Sequence, residues 1–109
     1  LQIILGHWGE LLPYYIDRFD DTLSAEFVGI KHDPSYYLKN NLYVTSSGIW
    51  TPECLEFCVK RLGVDRIVFS IDYPFANPKG KEKILEHPML SMEEREMIAH
   101  GNAERLLHI

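Results

Sequence analysis

His7 and Glu10 stand three residues apart directly after an apolar run, and Asp72 follows a second such run far along the chain, in Ser70-Ile71-Asp72-Tyr73-Pro74-Phe75. An imidazole exchanges protons near neutral pH, and a carboxylate held beside it decides which ring nitrogen carries the proton. An aspartate coordinates a divalent metal or moves a proton itself. Each residue also has a plain structural reading. His7 can be a hydrogen-bonded histidine at a strand-to-helix turn, Glu10 an acid favouring a helix N-terminus, and Asp72 an Asx turn ahead of Pro74. Chemistry is the better reading only if all three reach one place, which depends on the elements that carry them.

Those elements are legible as alternating strands and helices. Leu1 to Gly6 is a near-continuous apolar run of strand length, the pattern of a strand buried on both faces of a parallel sheet. It opens with no cap and no initiating Met, which is not expected of a natural chain terminus. Glu10 to Phe19 reads as a helix, with Pro13 tolerated near its first turn. Asp33 is positioned to cap a short helix from Pro34, and Leu42 to Thr45 reads as a strand ended by Ser46-Ser47-Gly48. Thr51 as N-cap, Pro52 at the first helical position, Leu55, Cys58, Val59 and Leu62 on one face and Gly63 as stop define the next helix. A third strand is expected over Arg66 to Ser70, followed by a Pro- and Gly-punctuated loop from Ala76 to Gly80 and a weak helix from Lys81 to Glu86. The Ser91-x-x-Glu94 spacing predicts a capping box opening a helix that stops at Gly101, with a short helix over Ala103 to Leu107.

Strand, helix, strand, helix, strand, helix with helix-length crossovers calls for a parallel sheet covered by helices. Catalytic groups on such sheets gather at the carboxyl ends of the strands. The first end offers His7, Trp8 and Glu10, the second Thr45, Ser46 and Ser47, and the third Ser70, Asp72 and Tyr73. Trp8 and Phe75 flank this mouth and are expected to wall a bound substrate. Three units of this kind form either a small open α/β sheet or the last part of a (β/α)8 barrel, and the abrupt opening favours the second.

Composition narrows the function classes. A chain of 109 residues with 46% hydrophobic content suits one modest domain. Its net charge of -5 argues against nucleic acid as a partner, since phosphate neutralisation needs clustered Lys and Arg. No apolar run is long enough to span a membrane and no basic leader opens the chain, so a cytoplasmic location is expected. Cys54 and Cys58 lie four apart, on one face of a helix, and read as small buried hydrophobes. His32 reads as a loop residue, and His87, His100 and His108 as structural or surface groups near late helices.

The segments GHWGELLPYYIDRFD, NNLYVTSSG, VDRIVFSIDYPF and NAERLL resemble, in order and rough spacing, the amidohydrolase-related metal-dependent decarboxylases. That family includes the aminocarboxymuconate semialdehyde, γ-resorcylate, 2,3-dihydroxybenzoate and 5-carboxyvanillate decarboxylases. The resemblance covers essentially the whole chain, with GHWGE in place of the commoner GHMGE as a mild departure. It implies a TIM barrel, of which residues 1–109 are a single partial domain, the C-terminal part from about strand six to strand eight. It implies Asp72 as ligand of a catalytic divalent metal, zinc in some members and manganese or magnesium in others, and as a candidate proton donor to the substrate carbon. His7 and Glu10 then form a catalytic relay beside it. Arg18 is expected near a subunit interface, reaching toward a neighbouring site to hold a substrate carboxylate, or else in a surface ion pair with Asp17 or Asp21.

The implied reaction is nonoxidative decarboxylation of a hydroxylated aromatic or related unsaturated carboxylic acid. A proton reaches the carbon bearing the carboxylate, carbon dioxide leaves, and no organic cofactor is needed. Further metal ligands of the family lie in regions absent from these residues, so the isolated chain is expected to hold metal weakly or not at all and to be inactive. Two other readings stand beside this one: metal-dependent hydrolysis or hydration on the same barrel, and a noncatalytic association module. The expected partners are a small-molecule acid and either a second copy of the chain or the missing N-terminal half, because open barrel edges invite pairing.

Overall fold

A computed structural model describes residues 1–109. Its centre is a parallel three-stranded sheet in the order β1 (Ile3–Leu5), β2 (Leu42–Thr45), β3 (Ile67–Val68). The register places Ile3 opposite Leu42, Leu5 opposite Val44, Val44 opposite Ile67 and Thr45 opposite Val68. Every residue of β2 is buried, as befits a central strand. β1 departs from its expected burial on both faces: Ile3 and Ile4 remain 43% and 46% exposed. β1 is an edge strand here, with a neighbour on one side only. β3 is also shorter than its apolar run, because the Phe69 amide turns away to the Ile98 carbonyl (3.1 Å) instead of continuing the ladder.

Between β1 and β2 lie α1 (Ile16–Thr22), α2 (Ala25–Val28) and α3 (Pro34–Asn41). The helix expected from Glu10 starts only at Ile16, and Pro13 sits in a preceding 3-10 turn, Leu12–Tyr15. The expected cap of α3 is exchanged between two aspartates. Asp33 Oδ1 accepts from the Ala25 amide (2.7 Å), while Asp20 Oδ1 accepts from the Ser35 amide at the start of α3 (2.8 Å). The hydrogen bonds from Ser35 hold the Asp20 carboxyl below its usual range.

α4 (Pro52–Leu62) spans the residues its signals mark, although Thr51 makes no side-chain cap bond. Gly63 at φ 101 ends it by donating to the Val59 carbonyl. Leu55, Cys58 and Leu62 face inward and pack with Val44, Ile67 and Ile16. Each such apolar side chain contributes on the order of 1.5–3 kcal/mol of burial. After β3 come α5 (Glu82–Leu85), α6 (Met92–Glu96) and α7 (Asn102–Leu107). The capping box forms both of its bonds, Glu94 amide to Ser91 Oγ (3.1 Å) and Ser91 amide to Glu94 Oε2 (2.7 Å).

The expected stop at Gly101 does not occur. Gly101 is helical (φ -58, ψ -38), and α6 runs into α7 through a π turn over Met97–Gly101. Asn102, fully buried, pulls the helix on by donating to the carbonyls of Val64 (2.9 Å) and Ile67 (2.7 Å). That tertiary anchor outweighs the conformational entropy Gly101 loses in a helix. No helix of the structure is long and apolar enough to cross a membrane.

Candidate active site

The turn after β1 is wound left-handed. His7, Trp8, Gly9, Glu10 and Leu11 have φ of 49, 56, 81, 50 and 68. For L-residues this region costs roughly 1–2 kcal/mol per residue, so the surrounding structure must enforce it. Trp8 does so by burial: it is 5% exposed, and its indole Nε1 donates to the Ile49 carbonyl (3.0 Å). Gly9 packs so closely that a Cβ would stand 2.9 Å from both Val44 Cγ1 and Pro13 Cδ. This run is the physical reason that the helix expected at Glu10 begins later.

The same winding brings the carboxylate of Glu10 back over the ring of His7. Glu10 Oε1 lies 2.7 Å from His7 Nδ1, and on the far side of the ring Asp72 Oδ2 lies 3.5 Å from Nε2. Asp72 is itself left-handed, at φ 64, immediately ahead of a cis Tyr73–Pro74 bond. The turn is closed by its backbone carbonyl, which accepts from the amides of Phe75 (2.8 Å) and Ala76 (3.1 Å). Its side chain forms no Asx-turn bond and is left to face the imidazole. Carboxylate, imidazole and carboxylate therefore form a line, with both ring nitrogens addressed and the His7 and Asp72 side chains 43% and 38% exposed.

A line is not a cage. Glu10 and Asp72 approach opposite nitrogens, and no three His, Cys, Asp or Glu side chains converge on a point that would hold a metal ion. A catalytic zinc keeps about three protein ligands. Asp72 presents a single carboxylate, with no second acid, cysteine or histidine on its own side of the His7 ring to share a metal ion with it.

The other candidate residues are placed differently. Trp8 packs into the core and also lines a groove of about 440 Å³ between the His7–Leu11 turn and α4. Phe75 is 87% exposed on the turn beyond Asp72. Arg18 is exposed on α1 and makes no ion pair with Asp17 or Asp21; Asp17 pairs instead with Arg61 (2.7 Å). Burial pushes the Cys58 thiol up to about 12 and also raises that of Cys54, which disfavours the thiolate at both. His87 bonds Glu56 (3.0 Å), His100 lies between Glu96 (2.9 Å) and Glu104 (3.0 Å), and His32 stacks on Tyr36.

Sequence reasoning missed the hydroxyls of Thr45, Ser46, Ser47 and Ser70 as a unit. They bond one another or the facing main chain across the ends of β2 and β3. The available signal was a run of three hydroxyl residues at one strand end facing a fourth at the next.

The chain is similar to several known decarboxylases. Over 116 residues the chain is 39% identical to the decarboxylase orsB of Emericella nidulans, covering all of this chain and 35% of that protein. It is 36% identical over 117 residues to a γ-resorcylate decarboxylase of Polaromonas sp., again covering all of this chain and 35% of the relative. Among solved structures, a dihydroxybenzoic acid decarboxylase of Polaromonas sp., crystallised with manganese and the inhibitor 2-nitroresorcinol, superposes with a TM-score of 0.86 at 35% identity, covering 99% of this chain and 34% of that one. The chain thus spans about a third of the length of the relatives it matches. The amidohydrolase family profile matches residues 1–109 throughout, and the chain belongs to that family.

Proposed function

We propose that these residues supply the proton-handling part of a metal-dependent, nonoxidative decarboxylase acting on a hydroxylated aromatic or related unsaturated carboxylic acid. In this reading they form about strands six to eight, with their helices, of a (β/α)8 barrel. The observation that carries it is the line Glu10–His7–Asp72 at the ends of two parallel strands, on a chain whose relatives are decarboxylases, one of them of γ-resorcylate.

Glu10 holds the Nδ1 edge of His7, which leaves Nε2 as the edge that exchanges a proton with Asp72. A proton stored on this pair is delivered to the substrate carbon bearing the carboxylate, and carbon dioxide departs as the ring regains aromaticity. The manganese in the Polaromonas structure supports a divalent metal in the complete protein. The ligands beyond Asp72 come from outside residues 1–109, and the isolated chain is inactive for that reason. Phe75 and Trp8 border the mouth as candidate substrate walls, and Arg18 is a candidate carboxylate ligand toward a neighbouring copy.

The test is to supply γ-resorcylate and manganese to the full-length protein that carries this segment and to trap carbon dioxide. Release that disappears in Asp72→Asn supports the reading. Turnover of amide or ester substrates with no carbon dioxide from any hydroxybenzoate would replace it with hydrolysis on the same scaffold.

A further inference from the structure

The hydroxyls at the ends of β2 and β3 take no part in the proton line, yet they hold the segment that presents Asp72. Ser46 is 1% exposed. Its Oγ donates to the Ser70 carbonyl (2.7 Å) and accepts from the Ser70 amide (3.3 Å). One side chain thereby satisfies both main-chain polar groups of the residue two before Asp72. Regular pairing of β2 with β3 ends at Thr45 and Val68, so no ladder partner is available to those groups.

The neighbours extend this seam. Ser70 Oγ accepts from the Ser47 amide (3.1 Å) and lies 3.3 Å from Ser47 Oγ, which is 2.7 Å from Thr45 Oγ1. Gly48, at φ 77, lets the loop close against the next peptide: a Cβ there would stand 2.8 Å from the Ile71 carbonyl. On the other side, the Phe69 amide is held by Ile98. The chain from Phe69 to Ile71 is thus gripped from both sides just before the backbone turns left-handed at Asp72.

We infer that Ser46 is a positioning residue for Asp72: its hydroxyl replaces the β-ladder beyond Val68 and sets where the Asp72 carboxylate meets His7 Nε2. This rests on the reading of Asp72 as a proton-handling group. A displacement of about 1 Å in such a group costs on the order of 100-fold in rate, and the His7–Asp72 separation of 3.5 Å leaves little slack.

The experiment compares Ser46→Ala, Ser46→Thr and Ser47→Ala in the full-length protein, reading γ-resorcylate decarboxylation and amide hydrogen exchange. Ser46→Ala is expected to lower kcat on the order of 10- to 100-fold with KM changed by less than about twofold. The Ser70 amide should then exchange on the order of tenfold faster while those of Val44 and Ile67 are unchanged. Ser46→Thr, which keeps the hydroxyl, should restore both readouts, and Ser47→Ala should cost less than Ser46→Ala.

Wild-type kcat and wild-type Ser70 exchange in Ser46→Ala overturn the inference. So does loss of protection at Val44 and Ile67 together with Ser70, which marks a merely structural role, or a larger rate loss from Ser47→Ala. If the wild type releases no carbon dioxide, the functional reading fails by itself. Exchange at Ser70 does not depend on turnover and still decides whether Ser46 holds the Asp72 segment.

Discussion

The carboxyl ends of the strands and the helices packed behind them are built to different rules. Of the seven non-glycine residues at positive φ, all but His108 lie at strand ends: His7, Trp8, Glu10, Leu11, Ser47 and Asp72. The helical layer has a proline start and glycine stop on α4, a complete capping box on α6 and apolar residues on one face, with φ negative through all but its end caps. Along α4 and at the start of α6 local preference agrees with the fold, and the result is stability. At the strand ends local preference is overruled by burial of Trp8, by the fit of Gly9 against Val44 and Pro13 and by the Ser46 bonds. The result is a carboxylate, an imidazole and a second carboxylate in a row. Strain concentrated around such a row is expected of a functional site.

Substitutions that separate the two regions test this contrast. Asp72→Asn should reduce turnover of the full-length protein on the order of 10²- to 10⁴-fold, as loss of a general acid does, with an unchanged urea midpoint. A fall in stability matching the fall in rate would erase the distinction. Leu55→Ala should do the reverse, lowering unfolding free energy by about 2–5 kcal/mol because Leu55 is fully buried, while kcat per folded molecule is preserved. Gly9→Ala sits on the boundary. It meets both the 2.9 Å contacts and the left-handed φ, so a loss of about 1–3 kcal/mol should appear together with a reduced kcat, read by denaturation and kinetics on one preparation.

Two smaller effects sharpen the picture of the helical layer. The Cys58 thiol, raised to about 12 by burial and then by Cys54, should resist alkylation at mildly alkaline pH until the protein is unfolded, as mass spectrometry would show. Asp20 is held below 3.8 by its hydrogen bonds from Ser35. A carboxyl lowered in the folded state stabilises above its unfolded value and loses that contribution as pH falls through the folded one. The stability difference between wild type and Asp20→Asn should therefore be present near neutral pH and decline progressively as pH falls below 3.8, as paired pH-dependent melts would reveal.

What the sequence disclosed follows the same division. α4 was legible from Pro52 to Gly63 because helix signals are local and nothing tertiary opposed them. The assembly of His7, Glu10 and Asp72 was legible from topology, since parallel strands deliver their carboxyl ends to one side. The left-handed run was hidden because only Gly9 announces it, while Glu10 to Phe19 has good helical periodicity. Gly101 looked like a stop because a C-cap glycine and a helical glycine read alike, and only the bonds of Asn102 to Val64 and Ile67 decide between them. Ser46 was legible only as one of three polar residues at its strand end, because the main-chain groups it bonds belong to Ser70 on another strand.

The π turn between α6 and α7 carries information of a different sort. Within it the Asn102 amide reaches back five residues to the Met97 carbonyl, and the Ile98 carbonyl is bound by the Phe69 amide. A turn of this width amounts to one extra residue threaded into an α-helix. Deleting the exposed Ala99 would return the stretch to ordinary winding, with α7 still in phase and Asn102 on its accustomed face. The Ile98 carbonyl would then be claimed from within the helix, and the Phe69 amide beside the Asp72 segment would lose its acceptor. The grip on that segment is thus written partly as a count of residues, and shortening a distant helix by one alanine would loosen the strand-end mouth while every side chain in it stayed the same.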